Sequence, residues 1–283
     1  MAPAPEALAT ATGGWLHPGW PAPASVRALF TDRSGGVSQG CHAGLNLGAH
    51  VGDLPESVAA NRERLAAAIG QRPVFLEQVH GTDVAVLDGD RPGPPALRAH
   101  AVADAAATSE PGAVCTIMVA DCLPVLLTDR GGRAVGAAHA GWRGLLGQRG
   151  SGVIERTADA VARLAGCAAS DLIAWLGPCI GPGEFEVGPD VRDAFVQADA
   201  RAADRFVAVP GADGQWLADL PGLARQRLAS LGIAAWGNDG GDGWCTVRQP
   251  SRFFSHRRDS RRLGGSGRMA ACIWIVGAQL GGD

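Results

Sequence analysis

The chain contains no lysine and no tyrosine, so all 25 of its basic residues are arginine. Those two absences exclude whole mechanisms. Schiff-base chemistry and a P-loop lysine require the ε-amine, and a tyrosine general acid requires the phenol. Any anion bound by the protein must be held by arginine, histidine, a metal ion or backbone N–H groups. The seven cysteines are odd in number, scattered, and form no C-x-x-C pair. No apolar run reaches the ~18 residues of a membrane span. Residues 1–25 lack the basic and apolar regions of a secretory signal. Together these absences predict a cytoplasmic protein with reduced thiols and no membrane partner. A net charge of -3 supplies no global basic field for nucleic acid.

What is present suffices for a folded core: 46% of the 283 residues are hydrophobic. Residues 1–25, rich in Ala and Pro, read as a flexible N-terminal arm, and residues 26–283 as a single domain. Apolar runs predict strands over 26–31, 73–79, 83–87, 114–119, 125–128, 134–138, 172–176 and 269–276. Helical spacing and end signals predict helices over 53–70, 152–164, 190–197 and 220–231. A Pro-rich surface loop is expected over 88–99, and a hairpin turn at Arg130-Gly131-Gly132. Helices interleaved with hairpin-joined strands predict a mixed-sheet α/β fold.

Three strand ends carry metal-ligand chemistry. His80 closes one apolar run, Cys122 follows another in Ala120-Asp121-Cys122-Leu123-Pro124, and His139 ends a third in Ala138-His139-Ala140-Gly141. One thiolate and two imidazoles leave a fourth position open on zinc, which is the layout of a catalytic metal. The separations of 42 and 17 residues match no local metal motif, so each histidine also stands as a structural residue on spacing alone. Asp121 reads as a partner or proton carrier beside the site, or as a turn-capping carboxylate. Arg143, four residues after His139, reads as an anion fork or a surface ion pair. Arg33 stands in a glycine-bearing loop with free N–H groups. His42 and His50 flank Leu45-Asn46-Leu47-Gly48, near enough in sequence to reach a site or to serve as loop donors. Six arginines fall between 252 and 268, beside His256. One such cluster in a slightly acidic chain suits a phosphate or carboxylate site, or a solvated turn, better than a nucleic-acid face.

Taken in order, these segments resemble a known family. Arg33-Ser-Gly-Gly-Val-Ser38, Leu45-Asn46-Leu47, His50-Val51-Gly52-Asp53, Asn61-Arg62, Gln78-Val79-His80-Gly81, Ala120-Asp121-Cys122-Leu-Pro124, His139-Ala-Gly-Trp-Arg-Gly144, Gly177-Pro178, Phe185-Glu186-Val187, Cys245-Thr246 and Phe254-Ser255-His256-Arg257-Arg258 follow the pattern of the YfiH family, also called the polyphenol oxidase (laccase-domain) or peptidoglycan editing factor family. The likeness runs from about residue 26 to 277. It implies an α/β domain shared with cytotoxic necrotizing factor deamidases, and zinc on His80, Cys122 and His139. It implies phosphorolysis of adenosine, inosine, guanosine and methylthioadenosine, and adenosine deamination, so the partners are a purine nucleoside and phosphate. Arg33, Ser38, Asn46, Arg143, His256 and Arg257 are the candidates for holding substrate or phosphate. His80, Cys122, His139 and Asp121 are the candidate catalytic residues.

Three other readings stay open. Cys122 with His139 as base would cleave an amide, such as one in a muropeptide. Copper also accepts Cys and His ligands, in a laccase-like polyphenol oxidase. A four-copper centre needs many histidines with H-x-H pairs, and this chain has seven histidines and no such pair. The last is a binding protein without catalysis, against which the open ligand set argues.

Overall fold

The computed structural model describes residues 14–87, 101–148 and 150–277. Among these, strands are β1 (Val26–Phe30), β2 (Pro73–Val74), β3 (Val84–Val86), β4 (Ala105–Thr108), β5 (Val114–Val119), β6 (Leu123–Asp129), β7 (Val135–Ala140) and β8 (Leu172–Leu176), then β9 (Glu186–Val187), β10 (Phe206–Ala208), β11 (Trp216–Ala218), β12 (Ala234–Gly237) and β13 (Met269–Ile275). The α-helices are α1 (Pro55–Ile69), α2 (Trp142–Leu146), α3 (Val153–Ala165), α4 (Pro189–Ala198), α5 (Leu220–Ser230) and α6 (His256–Leu263).

Alternation along the strands sorts their side chains into separate cores. In β13, Met269, Ala271, Ile273 and Ile275 face one cluster, and Ala270, Cys272 and Trp274 face another. The first cluster also takes Cys115, Ile117 and Val119 of β5, Leu126 of β6, and Val135 and Ala137 of β7. It therefore lies between a four-stranded sheet, ordered β1-β13-β5-β2, and a six-stranded sheet, ordered β12-β8-β6-β7-β4-β3. On the outer face of the smaller sheet, Leu65 of α1 packs with Met118 and Trp274. On the outer face of the larger sheet, Val125 and Leu127 meet Ile154, Ala158 and Val161 of α3 and Leu228 of α5. The result is a mixed-sheet α/β arrangement of two sheets flanked by helices, with a small third sheet ordered β10-β11-β9.

Helix ends follow local chemistry. Pro55 opens α1, and Gly70 closes it in the left-handed region at φ 74. Ser255 caps α6 by accepting a hydrogen bond from the Arg258 N–H at 3.1 Å. That helix, the small sheet and β12 were not expected from periodicity. The strand expected over 73–79 stops at Val74. The Gln78 side chain meets Met118 by accepting from its N–H at 2.7 Å and donating to its carbonyl at 2.8 Å, so a side chain stands in for the ladder. Residues 14–25, assigned to a flexible arm, lie against the sheet: Leu16 pairs with Phe30, and Leu16 and Trp20 pack on the inter-sheet core. The expected loop over 88–99 lies outside the described residues.

Candidate metal and substrate site

The site forms where the chain crosses from one sheet to the other. β5 ends the four-stranded sheet at Val119 and β6 starts in the six-stranded sheet at Leu123, so Ala120, Asp121 and Cys122 make the crossing. Asp121 adopts φ 86 there, which a non-glycine residue does at a cost of roughly 1–3 kcal/mol. Its own side chain holds the turn. One carboxylate oxygen accepts from Thr246 Oγ1 at 2.5 Å and the other from the Arg257 N–H at 2.6 Å. Its carbonyl accepts from the Ile180 N–H at 2.9 Å. With both oxygens engaged, Asp121 fixes the position of Cys122.

His139 shares the parity of Val135 and Ala137 on β7, which places it over the inter-sheet gap at the strand's end. His80 arrives on a loop at φ 63. His80 and Asp121 are the two non-glycine residues with positive φ among the described residues, and they flank the same site. One carboxylate organises both histidines. Asp104, 0% exposed, accepts from His139 Nδ1 at 2.8 Å and from the N–H groups of Val79, His80 and Gly81 at 3.1, 2.9 and 2.6 Å. Its carbonyl also accepts from the His139 N–H at 2.8 Å. A carboxylate on the far nitrogen of a ligating histidine fixes the tautomer and ring direction, leaving Nε2 for a metal.

The three ligand atoms of His80, Cys122 and His139 lie within 4.8 Å of one another. His80 Nε2 stands 3.8 Å from Cys122 Sγ, close to the roughly 3.5 Å that a tetrahedral zinc imposes on an S···N edge. A Cβ on Gly141 would lie 3.0 Å from both Cys122 Sγ and His80 Cδ2, so glycine keeps this cradle open. Donor types, spacing and second contacts all fit a metal ion. Charges inside the cluster reinforce each other. Burial pushes the Cys122 thiol up, but the His139 charge and hydrogen bond, with help from His80, bring it down to about 6. Burial opposes the charge on His139, yet Cys122 and Asp104 raise it to about 9.

Around the triad lies a cavity of about 480 Å³, within the usual range for a small-molecule site. Ile180, Phe185 and Leu220, with Trp142 packed beside them, supply one wall from the core of the six-stranded sheet. Met118, His50 and Arg268 also line the cavity. Of the predicted residues, His80, Asp121, Cys122, His139, His256 and Arg257 meet in this cavity. Arg33, Ser38, Asn46 and Arg143 are not among its lining residues. Arg33 donates to the carbonyls of Pro250 and Ala43 at 2.9 and 3.3 Å and lies over the Phe254 ring. Ser38 and Asn46 are buried, and both donate to Asp53 Oδ2, at 2.6 and 2.8 Å. Arg143 lies exposed over the Trp142 ring.

Sequence reasoning missed Asp104, which stands among alanines with no motif around it. His50 and Arg268 were visible as a loop histidine and the last of an arginine cluster, with nothing to place them in the cavity.

Comparison with known proteins places the whole described domain in one family. The sequence model of the family described as multi-copper polyphenol oxidoreductase laccase matches residues 27–276. A purine nucleoside phosphorylase of Pseudomonas aeruginosa is 49% identical over 262 residues, covering 92% of this chain and 98% of its own length. The purine nucleoside phosphorylase YfiH of Escherichia coli is 46% identical over 263 residues, with the same two shares. The crystal structure of a Neisseria meningitidis protein, 44% identical, superposes with a TM-score of 0.81 over 93% of this chain and 99% of that one. That of YlmD from Geobacillus stearothermophilus, 33% identical, gives 0.79 over 93% and 97%. The chain therefore belongs to the YfiH family, whose sequence model carries the polyphenol oxidoreductase description.

Proposed function

We propose that this protein, with zinc held by His80, Cys122 and His139, cleaves purine nucleosides by phosphorolysis. The observation that carries the reading is a metal-ligand triad set in one cavity with apolar side chains and the guanidinium groups of Arg257 and Arg268. Relatives named as purine nucleoside phosphorylases at 49% and 46% identity support the substrate class. Zinc, when bound, supplies Lewis acidity and brings the pKa of water toward about 7.

The chain's own residues do the rest. Trp142, Phe185, Ile180 and Leu220 offer apolar surface on which a purine sheds water and stacks. Asp104 holds His139 and the His80 loop in place, and Asp121 holds Cys122. In the reaction, an oxygen of hydrogen phosphate bonds to ribose C1′ while the C1′–N9 bond breaks. The bonding pair leaves on the purine, which takes up the proton released by the phosphate. Adenosine, inosine, guanosine and methylthioadenosine are the expected substrates. Adenosine deamination, in which water adds at C6 and ammonia leaves, is assigned to the same cavity. We read residues 26–283 as one catalytic domain, since the two sheets share a core, and place it in the cytoplasm, where the seven free thiols stay reduced.

Metal quantification and a nucleoside panel with and without phosphate test this reading. Stoichiometric zinc and phosphate-dependent release of base are expected, with both lost in Cys122→Ala. Full turnover in that variant overturns it.

A second reading rests on the lowered Cys122 thiol beside His139, itself oriented by Asp104. Nucleophile, base and carboxylate then stand in the order of a thiol hydrolase, acting on an amide such as one in a muropeptide. Amide cleavage that persists in a chelator distinguishes it. Copper is the alternative occupant of the same ligands. One group of three ligands, the extent found among the described residues, supports a single ion rather than a coupled multicopper centre.

A further inference from the structure

Two pairs, each of a histidine and an arginine, line the cavity. His256 and Arg257 open α6 on the side of the apolar wall. The Arg257 guanidinium donates to the Glu186 carbonyl at 3.1 Å and lies 5.7 Å from the Phe185 ring. The second pair, His50 and Arg268, lines the same cavity. Arg268 directly precedes Met269, which pairs with Val119 just before the Asp121-Cys122 crossing.

This second pair is built rather than incidental. Arg268 Nη1 donates to the carbonyls of Ser266 and Gly267 at 2.9 and 3.1 Å, which fixes the guanidinium plane. Asn46 ties the two segments together: its Oδ1 accepts from the Arg268 N–H at 2.8 Å and from the Gly48 N–H at 3.0 Å. A Cβ on Gly48 would lie 2.7 Å from Arg268 Cγ, so glycine there lets the arginine stem pass to the cavity. Arg62 stands behind, over the Phe75 ring and donating to the Leu47 carbonyl at 3.0 Å. Among the described residues, nine other arginines make ion pairs, whereas His50, Arg62 and Arg268 make none. The carboxylate of Asp121 is already engaged by Thr246 and Arg257. Burial and the neighbouring Arg268 and Arg62 charges hold the His50 pKa below its ordinary value, which leaves it a neutral N–H donor beside the charged Arg268. An arginine with no carboxylate bonded to it and an N–H donor at its side, facing a substrate cavity, are complementary to an external anion.

We propose that His50 and Arg268 form the subsite for the phosphate co-substrate. This rests on the phosphorolysis reading above. Phosphate held there reaches ribose C1′ with the Arg268 charge and a His50 N–H donor on its oxygens as the new C–O bond forms. The roles first sought in Arg33 and Arg143 then fall to two residues that the fold delivers. Asn46, one of the residues expected to bind substrate, becomes the positioning residue behind them.

The test varies inorganic phosphate at saturating nucleoside for the zinc-loaded wild type, H50Q, R268Q and R33Q. R268Q is expected to raise the KM for phosphate by about 10- to 100-fold, as for loss of a charge-assisted contact. H50Q moves it the same way, and its exposed position keeps the fold intact. Zinc content and the KM for nucleoside stay within about twofold. An unchanged phosphate KM in both H50Q and R268Q overturns the assignment, as does a rise in R33Q alone. If the wild type shows no phosphate-dependent cleavage, the nucleoside reading fails. Calorimetric titration with inorganic phosphate then decides the subsite separately. Wild-type binding that R268Q loses retains it, and equal binding or no binding by either protein removes it.

Discussion

Asp104 accepts a hydrogen bond from His139 Nδ1 at 2.8 Å, and the same carboxylate holds the backbone on which His80 stands. Two of the three candidate ligands therefore depend on one buried group that does not itself line the cavity. Asp104→Asn keeps the shape but weakens the charge-assisted bonds. Its metal affinity is expected to fall about 10- to 100-fold, measured by competition with a chromophoric chelator. An unchanged affinity refutes this role.

The backbone of the Cys122 turn depends on Asp121 in a similar way. Asp121→Ala leaves the Thr246 hydroxyl and the Arg257 N–H without their acceptor and retains the left-handed φ. A loss of about 2–4 kcal/mol is expected in urea unfolding. A loss under about 0.5 kcal/mol contradicts the clamp.

Gly141→Ala places a methyl group 3.0 Å from both Cys122 Sγ and His80 Cδ2. The φ at Gly141 is -67, so the backbone accepts alanine. Metal binding is expected to drop at least tenfold while circular dichroism and thermal unfolding of the metal-free protein stay close to wild type. A variant that binds metal normally shows that the cradle has room to spare.

In the metal-free protein the Cys122 thiol is lowered to about 6 and His139 is raised to about 9. The pair is then charged between about pH 6 and 9. As pH falls through about 6 the thiolate is protonated, and as pH rises through about 9 the imidazolium loses its proton, so the pair's contribution fades on both sides. Alkylation of Cys122 by iodoacetamide should rise through a midpoint near pH 6, and bound metal should suppress it. A midpoint near the ordinary thiol value, together with no protection by metal, argues against the cluster.

Much of this was legible in the chain. The long strands over 114–119 and 269–275 and the helix over 153–165 follow from strong apolar periodicity. His80, Cys122 and His139 were visible because each closes an apolar run. The ordered motifs identified the family, although several of their residues serve the frame. Ser38, Asn46, Asn61 and Asp53 hydrogen-bond to one another, and Asn46 ties this group to the Arg268 backbone. A polar residue in a glycine-rich segment looks the same whether it meets a ligand or a neighbouring loop.

The sequence by itself determined the fold class, the ligand types and the family, because hydrophobic period and donor chemistry are properties of short segments. Only the tertiary structure decided which groups meet. Antiparallel pairing of β4 with β7, Ala105 opposite Ala138, sets Asp104 beside His139 across 35 residues of chain. The start of β13 beside the end of β5 carries Arg268 to the cavity, while Arg33 turns its guanidinium to the Pro250 and Ala43 carbonyls. Strand register and sheet packing are long-range relations, so the identity of a carboxylate or an arginine does not reveal them.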